Sequence, residues 1–203
     1  MIAPAAFADI AIETDQNTYN LGERIKVSAS ILQADDLEGL FKLKIYCGNY
    51  ELEYFLPPLG LESNFRTAVN VPELIASSSM LGNCNVAGTL VTNDNLAIEQ
   101  KTSNAFGVTR QLSVLPVNNK ITALPSESIL VSGIVNSAFG SNILKASAKI
   151  TLDNNSHNTD AVDGKFNLTI EISKNIKSGN HKIGISAFDS KNNFGDSSVG
   201  LDI

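Results

Sequence analysis

Apolar side chains recur at every second position along most of this 203-residue chain. A period of two is that of a half-buried strand, whereas a helix face repeats every 3.6 residues. Ile25, Val27, Ala29 and Ile31 alternate with Lys26, Ser28 and Ser30, and Phe41, Leu43, Ile45 and Cys47 alternate with Lys42, Lys44 and Tyr46. Phe65, Thr67, Val69 and Val71 continue the habit, as do Cys84, Val86, Gly88 and Leu90. The second half repeats it. Leu144, Ala146, Ala148, Ile150 and Leu152 are expected to face one way, and Phe166, Leu168, Ile170 and Ile172 form a similar row. One apolar face per strand is what antiparallel sheets with one wet side require. Helical periodicity is nearly absent. The best candidate, Pro72 to Met80, is expected to form a turn or a single helical turn.

The chain is 43% hydrophobic, enough for packed cores. No apolar run approaches the roughly 20 residues of a membrane helix. The net charge is -6 with no basic cluster, which argues against nucleic acid as a partner, because phosphate neutralisation dominates that affinity. Residues 1–117 hold 7 Lys+Arg and 13 Asp+Glu, and residues 118–203 hold 8 of each. This reads either as solubilising charge, the favoured reading, or as an acidic face meeting a basic partner or a cation. Met1 to Ala8 reads MIAPAAFA, whose Ala6-Phe7-Ala8 has the small-x-small form of a signal-peptidase site. Residues 1–8 are therefore read as the remnant of an export signal behind an added Met1, in preference to an Ala-rich native start.

The two halves read as copies. Ile25-Lys26-Val27-Ser28 matches Ile129-Leu130-Val131-Ser132, Phe65 matches Phe166, and Gly82-Asn83 matches Gly179-Asn180, in the same order along both halves. The boundary is placed between Pro116 and Lys120, giving domains over 9–117 and 118–203 joined by a short linker with limited hinge freedom. Seven or so short strands per half without helices point to an all-β chain of two consecutive antiparallel sandwiches. Gly22 and Asp163-Gly164 supply turn residues, the latter a strong hairpin signal. Asn154-Asn155 and Asn192-Asn193 tolerate left-handed backbone.

The stretch from Thr14 to Val27, with Tyr19 and the Gly22-Glu23 turn before an alternating strand, resembles the opening of extracellular immunoglobulin-like and macroglobulin-type domains. Asp163 to Leu168, Lys177 to Ile183 and Ala187-Phe188-Asp189 look like the later strands of bacterial and archaeal immunoglobulin-like surface domains. The resemblance implies extracellular spacers, adhesins or accessory modules of secreted enzymes, and carries no catalytic residues. The chain departs from antibody domains in having no Trp and no Cys pair at the usual inter-sheet positions.

In the sandwich reading, Cys47 ends the third strand and Cys84 begins the sixth, and those strands are antiparallel neighbours. A disulfide between them is expected, in preference to two buried thiols. It would close a loop of about 38 residues, stabilise by roughly 4 kcal/mol and agree with an oxidising compartment. Asn154-Asn155-Ser156 and Asn167-Leu168-Thr169 are glycosylation sequons, with Asn154 in a turn and Asn167 on an outward strand face. They are either acceptors or chance occurrences in an Asn-rich chain.

Groups for catalysis are sparse. His157, expected in a loop, and His181, at a strand start, are the only histidines. No nucleophile elbow, phosphate-cradling loop, dinucleotide fingerprint or zinc spacing occurs. Asp35-Asp36 with Glu38 reads as a solvated loop. Calcium is the one metal worth considering, through Thr92-Asn93-Asp94-Asn95, but one carboxylate, that of Asp94, favours a plain turn. Tyr50 and Tyr54 share a strand face, with Phe55 on the other. They offer a sugar platform or, as favoured, pack the core edge. No cofactor is expected. The expected function is a non-catalytic, exported or cell-surface segment, a spacer, adhesion or assembly module that contacts other surface proteins or other domains of its own chain. The chain is expected to continue beyond Ile203. The alternative is a ligand-binding accessory module for glycan or calcium.

Overall fold

The computed structural model describes residues 8–141, 143 and 145–203. Of the expected export remnant, residues 1–7 lie outside the described residues, as does Leu144 of the apolar row. Ala8 is buried and opens the first strand opposite Gln33. The chain is all-β and divides into two compact units, residues 1–108 and 109–203.

In the first unit the strands are β1 (Ala8–Thr14), β2 (Thr18–Asn20), β3 (Arg24–Ile25), β4 (Val27–Gln33), β5 (Leu37–Cys47), β6 (Tyr50–Phe55), β7 (Pro58–Leu61), β8 (Arg66–Val69) and β9 (Leu74–Ile75). After a 3-10 turn at Ser78–Met80 come β10 (Gly82–Thr92), β11 (Ala97–Thr102) and β12 (Phe106–Thr109). That turn meets the expectation for Pro72 to Met80 and is the only helical element among the described residues. One sheet runs β1-β4-β8, and the other runs β2-β12-β10-β5-β6 with β11 on β10 and β7 on β5. The expected alternation is seen in burial: β4 and β5 bury every second side chain. The inner faces meet closely. A Cβ on Gly88 of β10 would lie 2.4 Å from Cδ1 of Ile12 on β1 and 2.7 Å from Cζ of Phe41 on β5, so any side chain there would force Ile12 and Phe41 to shift. Ile10, Ile31, Phe41, Leu43, Ile45, Val86, Leu90 and Phe106 form one buried cluster drawn from both sheets.

The second unit holds β13 (Ser113–Pro116), β14 (Lys120–Thr122), β15 (Ser128–Asn136), β16 (Lys145–Leu152), β17 (Asn155–Val162), β18 (Lys165–Glu171), β19 (Asn180–Asp189) and β20 (Phe194–Asp202). Its order is β13-β15-β18-β17-β16-β19-β20-β14. The β17–β18 link is one pair, Val162 opposite Lys165, closed by Asp163 and Gly164 at φ 50° and 76°, which is the hairpin that Asp-Gly favours. Val131, Val135, Ala148, Ile150, Phe166, Ile183, Ile185 and Leu201 belong to a second buried cluster, confined to this unit.

Strand order corresponds between the units: β1-β4-β8 answers to β13-β15-β18, and β12-β10-β5-β6 to β20-β19-β16-β17. This order agrees with the immunoglobulin-like expectation. Three expectations need correction. The strand over Ser113–Pro116, expected to close the first domain, pairs with β15 and opens the second unit, so the division falls at Val108/Thr109 and not near Val117. Phe65 and Phe166 are not equivalent: Phe166 is buried opposite Gly133, whereas Phe65 is 60% exposed in the turn before β8. His157 lies on β17, opposite Ile150, and not in a loop.

Candidate functional site

The first unit carries the one covalent cross-link. Cys47 ends β5 and faces Cys84 of β10 directly across the ladder, with Cα atoms 4.1 Å apart and the disulfide formed. Both cysteines are buried, at 3% and 2% exposure, so the bond is part of the core and shielded from solvent thiols. The alternation that puts Phe41, Leu43 and Ile45 inward puts Cys47 inward as well.

Tyr19, the anchor of the opening motif, is fully buried and stacks edge-on against Phe106 at 5.5 Å. Its hydroxyl donates to Asp15 Oδ1 at 2.6 Å and accepts from Gln16 N–H at 3.1 Å. Burial first, and then the neighbouring Asp15 carboxylate, hold its pKa well above the ordinary tyrosine value. Glu23 Oε2 accepts from Asn20 N–H at 2.7 Å, which fixes the Gly22-Glu23 turn. The Tyr and Gly-Glu signature is therefore a structural anchor.

Tyr50 and Tyr54 do share a face of β6, but that face points to the core, and both rings pack against the first cluster. Among the described residues Tyr54 Oη is buried with no hydrogen-bond partner, and desolvation pushes its pKa up. Phe55 also packs on the core. The solvent face of this sheet carries ions instead: Lys42 pairs with Glu53 at 3.5 Å and Lys44 with Glu51 at 2.5 Å. Asp94 is exposed in the β10–β11 turn, which closes on itself through Thr92 N–H to Leu96 O and Leu96 N–H to Thr92 Oγ1. Among the described residues no three His, Cys, Asp or Glu side chains come together as metal ligands. Asp36 accepts from Ser63 N–H at 2.7 Å, so part of the acidic Asp35-Asp36 segment ties down a neighbouring loop.

Asn154 is exposed in the β16–β17 turn, and Asn167 is exposed on β18. In the former turn it is Asp153, at φ 52°, that takes the left-handed backbone. His181 Nδ1 lies 3.5 Å from Asp153 Oδ1 and Nε2 lies 2.7 Å from Lys177 O, so both ring nitrogens face oxygen. The His157 ring makes no hydrogen bond among the described residues. Neither histidine is arranged as the base of a nucleophile-base-acid relay. Among the described residues no helix is long and apolar enough to cross a membrane.

No family model and no curated protein matches the chain. Among solved structures it is similar to a 1.5-MDa bacterial ice-binding adhesin, at 10% identity over 95% of this chain and 64% of that one, TM-score 0.34. It is similar to Escherichia coli alpha-2-macroglobulin at 8% identity over 99% of this chain and 16% of that one, TM-score 0.35. It is also similar to a tetra-tandem repeat from the extending region of a large adhesion protein, at 15% identity over 98% and 50%, TM-score 0.36. The chain thus spans less than two thirds of each of these proteins. Overlap at this level carries no inference about binding or partners.

Proposed function

We infer that the chain is a non-catalytic segment of an exported or cell-surface protein, built from two copies of one immunoglobulin-like sandwich. It acts as a structural spacer and as an adhesion or assembly module, joined to other domains of its own chain or to other surface proteins. The repeated strand order carries this reading: β1-β4-β8 of the first unit answers to β13-β15-β18 of the second, and β12-β10-β5-β6 to β20-β19-β16-β17. The Cys47–Cys84 bond supports an oxidising compartment. Spin labels on the exposed turns at Asn49 and Asn175 test the spacer directly. A narrow, single-peaked distance distribution is expected, and a broad one would contradict a stiff spacer. Turnover in hydrolase assays would contradict the non-catalytic assignment.

A further inference from the structure

We propose that a groove on the solvent face of β16, β17 and β19 is a carbohydrate site that takes a neutral pyranose ring. The strand register builds it. Ala146 and Ala148 point into the core, so Lys145 and Ser147 point out. Lys145 stands opposite Val162, Ser147 stands between Asp160 on β17 and Phe188 on β19, and Phe188 stands opposite Phe194 on β20. The small Ser147 between larger neighbours leaves a groove of about 540 Å³, lined by Lys145, Ser147, Asp160, Val162, Phe188 and Ser190. That volume lies within the range of sites for small molecules.

Three features select the ligand. Phe188, Phe194 and Val162 are 48%, 45% and 59% exposed, so aromatic and apolar surface faces water where a strand would ordinarily be polar. A pyranose has an apolar C–H face suited to such a ring. The side chains of Lys145 and Asp160 make no hydrogen bond or ion pair among the described residues, in contrast with the paired Lys and Glu rows on β5 and β6. An anion in the groove would meet Asp160 and a cation would meet Lys145. A neutral polyol satisfies both, giving hydroxyl protons to the carboxylate and accepting from the ammonium. Asp189, at the end of the groove, is already occupied, its oxygens accepting from Lys191 N–H, Asn193 N–H and Asn193 Nδ2–H.

A protein partner fits less well. The backbone of β16 is committed to ladders on both sides, so a chain lying on this face finds side chains only. For an open site and a disaccharide-sized ligand the expected Kd lies between about 10 µM and 1 mM. This site does not depend on the spacer reading.

The test is amide-resolved NMR of the intact chain, titrated with maltose, cellobiose, lactose and chitobiose. At least one sugar is expected to shift the amides of Lys145–Ser147, Asp160–Val162 and Phe188–Ser190. Phe188→Ala and Asp160→Asn, both at exposed positions, should each weaken that sugar by about tenfold or more with amide dispersion retained. Ser147→Leu, which fills the groove, should abolish binding. The proposal is overturned if none of the four sugars binds, if the shifts lie elsewhere, or if the folded variants bind as the parent does. Tighter binding of glucuronate than of glucose would overturn the neutral ligand.

Discussion

One position serves two different purposes in the two units. Cys47 closes β5 one residue before Gly48, at φ 57°, and stands opposite Cys84. Leu152 closes β16 one residue before Asp153, at φ 52°, and stands opposite Ile183. The ladder, the tight turn and the inward direction agree. The first unit fills the place with a disulfide, the second with two buried aliphatic side chains. The charge differs too. The first unit has 13 Asp+Glu against 6 Lys+Arg, net -7, and the second has 8 against 9, net +1. A covalent tie suits the unit that carries more self-repulsion. All four tyrosines, Tyr19, Tyr46, Tyr50 and Tyr54, belong to the first unit, and the chain has no Trp. Tyrosine emission therefore reports one unit alone.

That asymmetry can be broken stepwise. Replacing both cysteines by alanine should cost the first unit about 4 kcal/mol, the closure entropy for partners 37 residues apart. Denaturant curves followed by tyrosine emission should shift, while the second-unit phase seen by far-ultraviolet circular dichroism stays put. Equal movement of both phases would mean the units unfold as one. Gly88→Ala should cost about 2 kcal/mol in the first unit by overpacking against Ile12 and Phe41, read as a lowered Tm. An unchanged Tm would mean the sheets stand farther apart. Tyr54→Phe should raise the stability of the first unit by about 1 kcal/mol, because it removes a buried hydroxyl that has no partner among the described residues. A loss instead would reveal a partner for that oxygen.

Alkaline pH should separate the units as well. Burial raises the pKa of Tyr19 and Tyr54 in the folded chain. Their protonated forms therefore favour folding fully below the unfolded tyrosine value of about 10, and that contribution fades as pH rises above it. The first unit should begin to lose stability relative to the second near pH 10 and go on losing it as pH climbs toward the raised folded values. Parallel pH curves for the two units would contradict the buried hydroxyls.

Much of the fold was legible because alternation is a local signal. The rows through Phe41 to Cys47 and Ala146 to Leu152 are buried as the period of two demands. The disulfide followed from the same rows, and Asp163-Gly164 set its hairpin through backbone preference alone. What failed was non-local. Alternation over Ser113–Pro116 marks a strand but does not say which sheet it joins, and its partner β15 comes later in the chain. Phe65 continued an apolar row on paper, yet the chain turns at Asn64, at φ 57°, and leaves the ring outside. By contrast, Tyr50 and Tyr54 share one face of β6 and pack against the core, which is the favoured sequence reading. The groove at Ser147 draws on segments 145–147, 160–162 and 188–190, and no spacing within a single segment announces it.

The central claim is that each unit builds its own β core. Residues 1–108 and 109–203 should therefore be prepared as separate chains, and their amide NMR spectra overlaid on that of the whole. The account predicts two well-dispersed spectra whose peaks together reproduce most of the intact pattern, apart from residues near Thr109. Collapse of either half to a narrow, unfolded spectrum would contradict it.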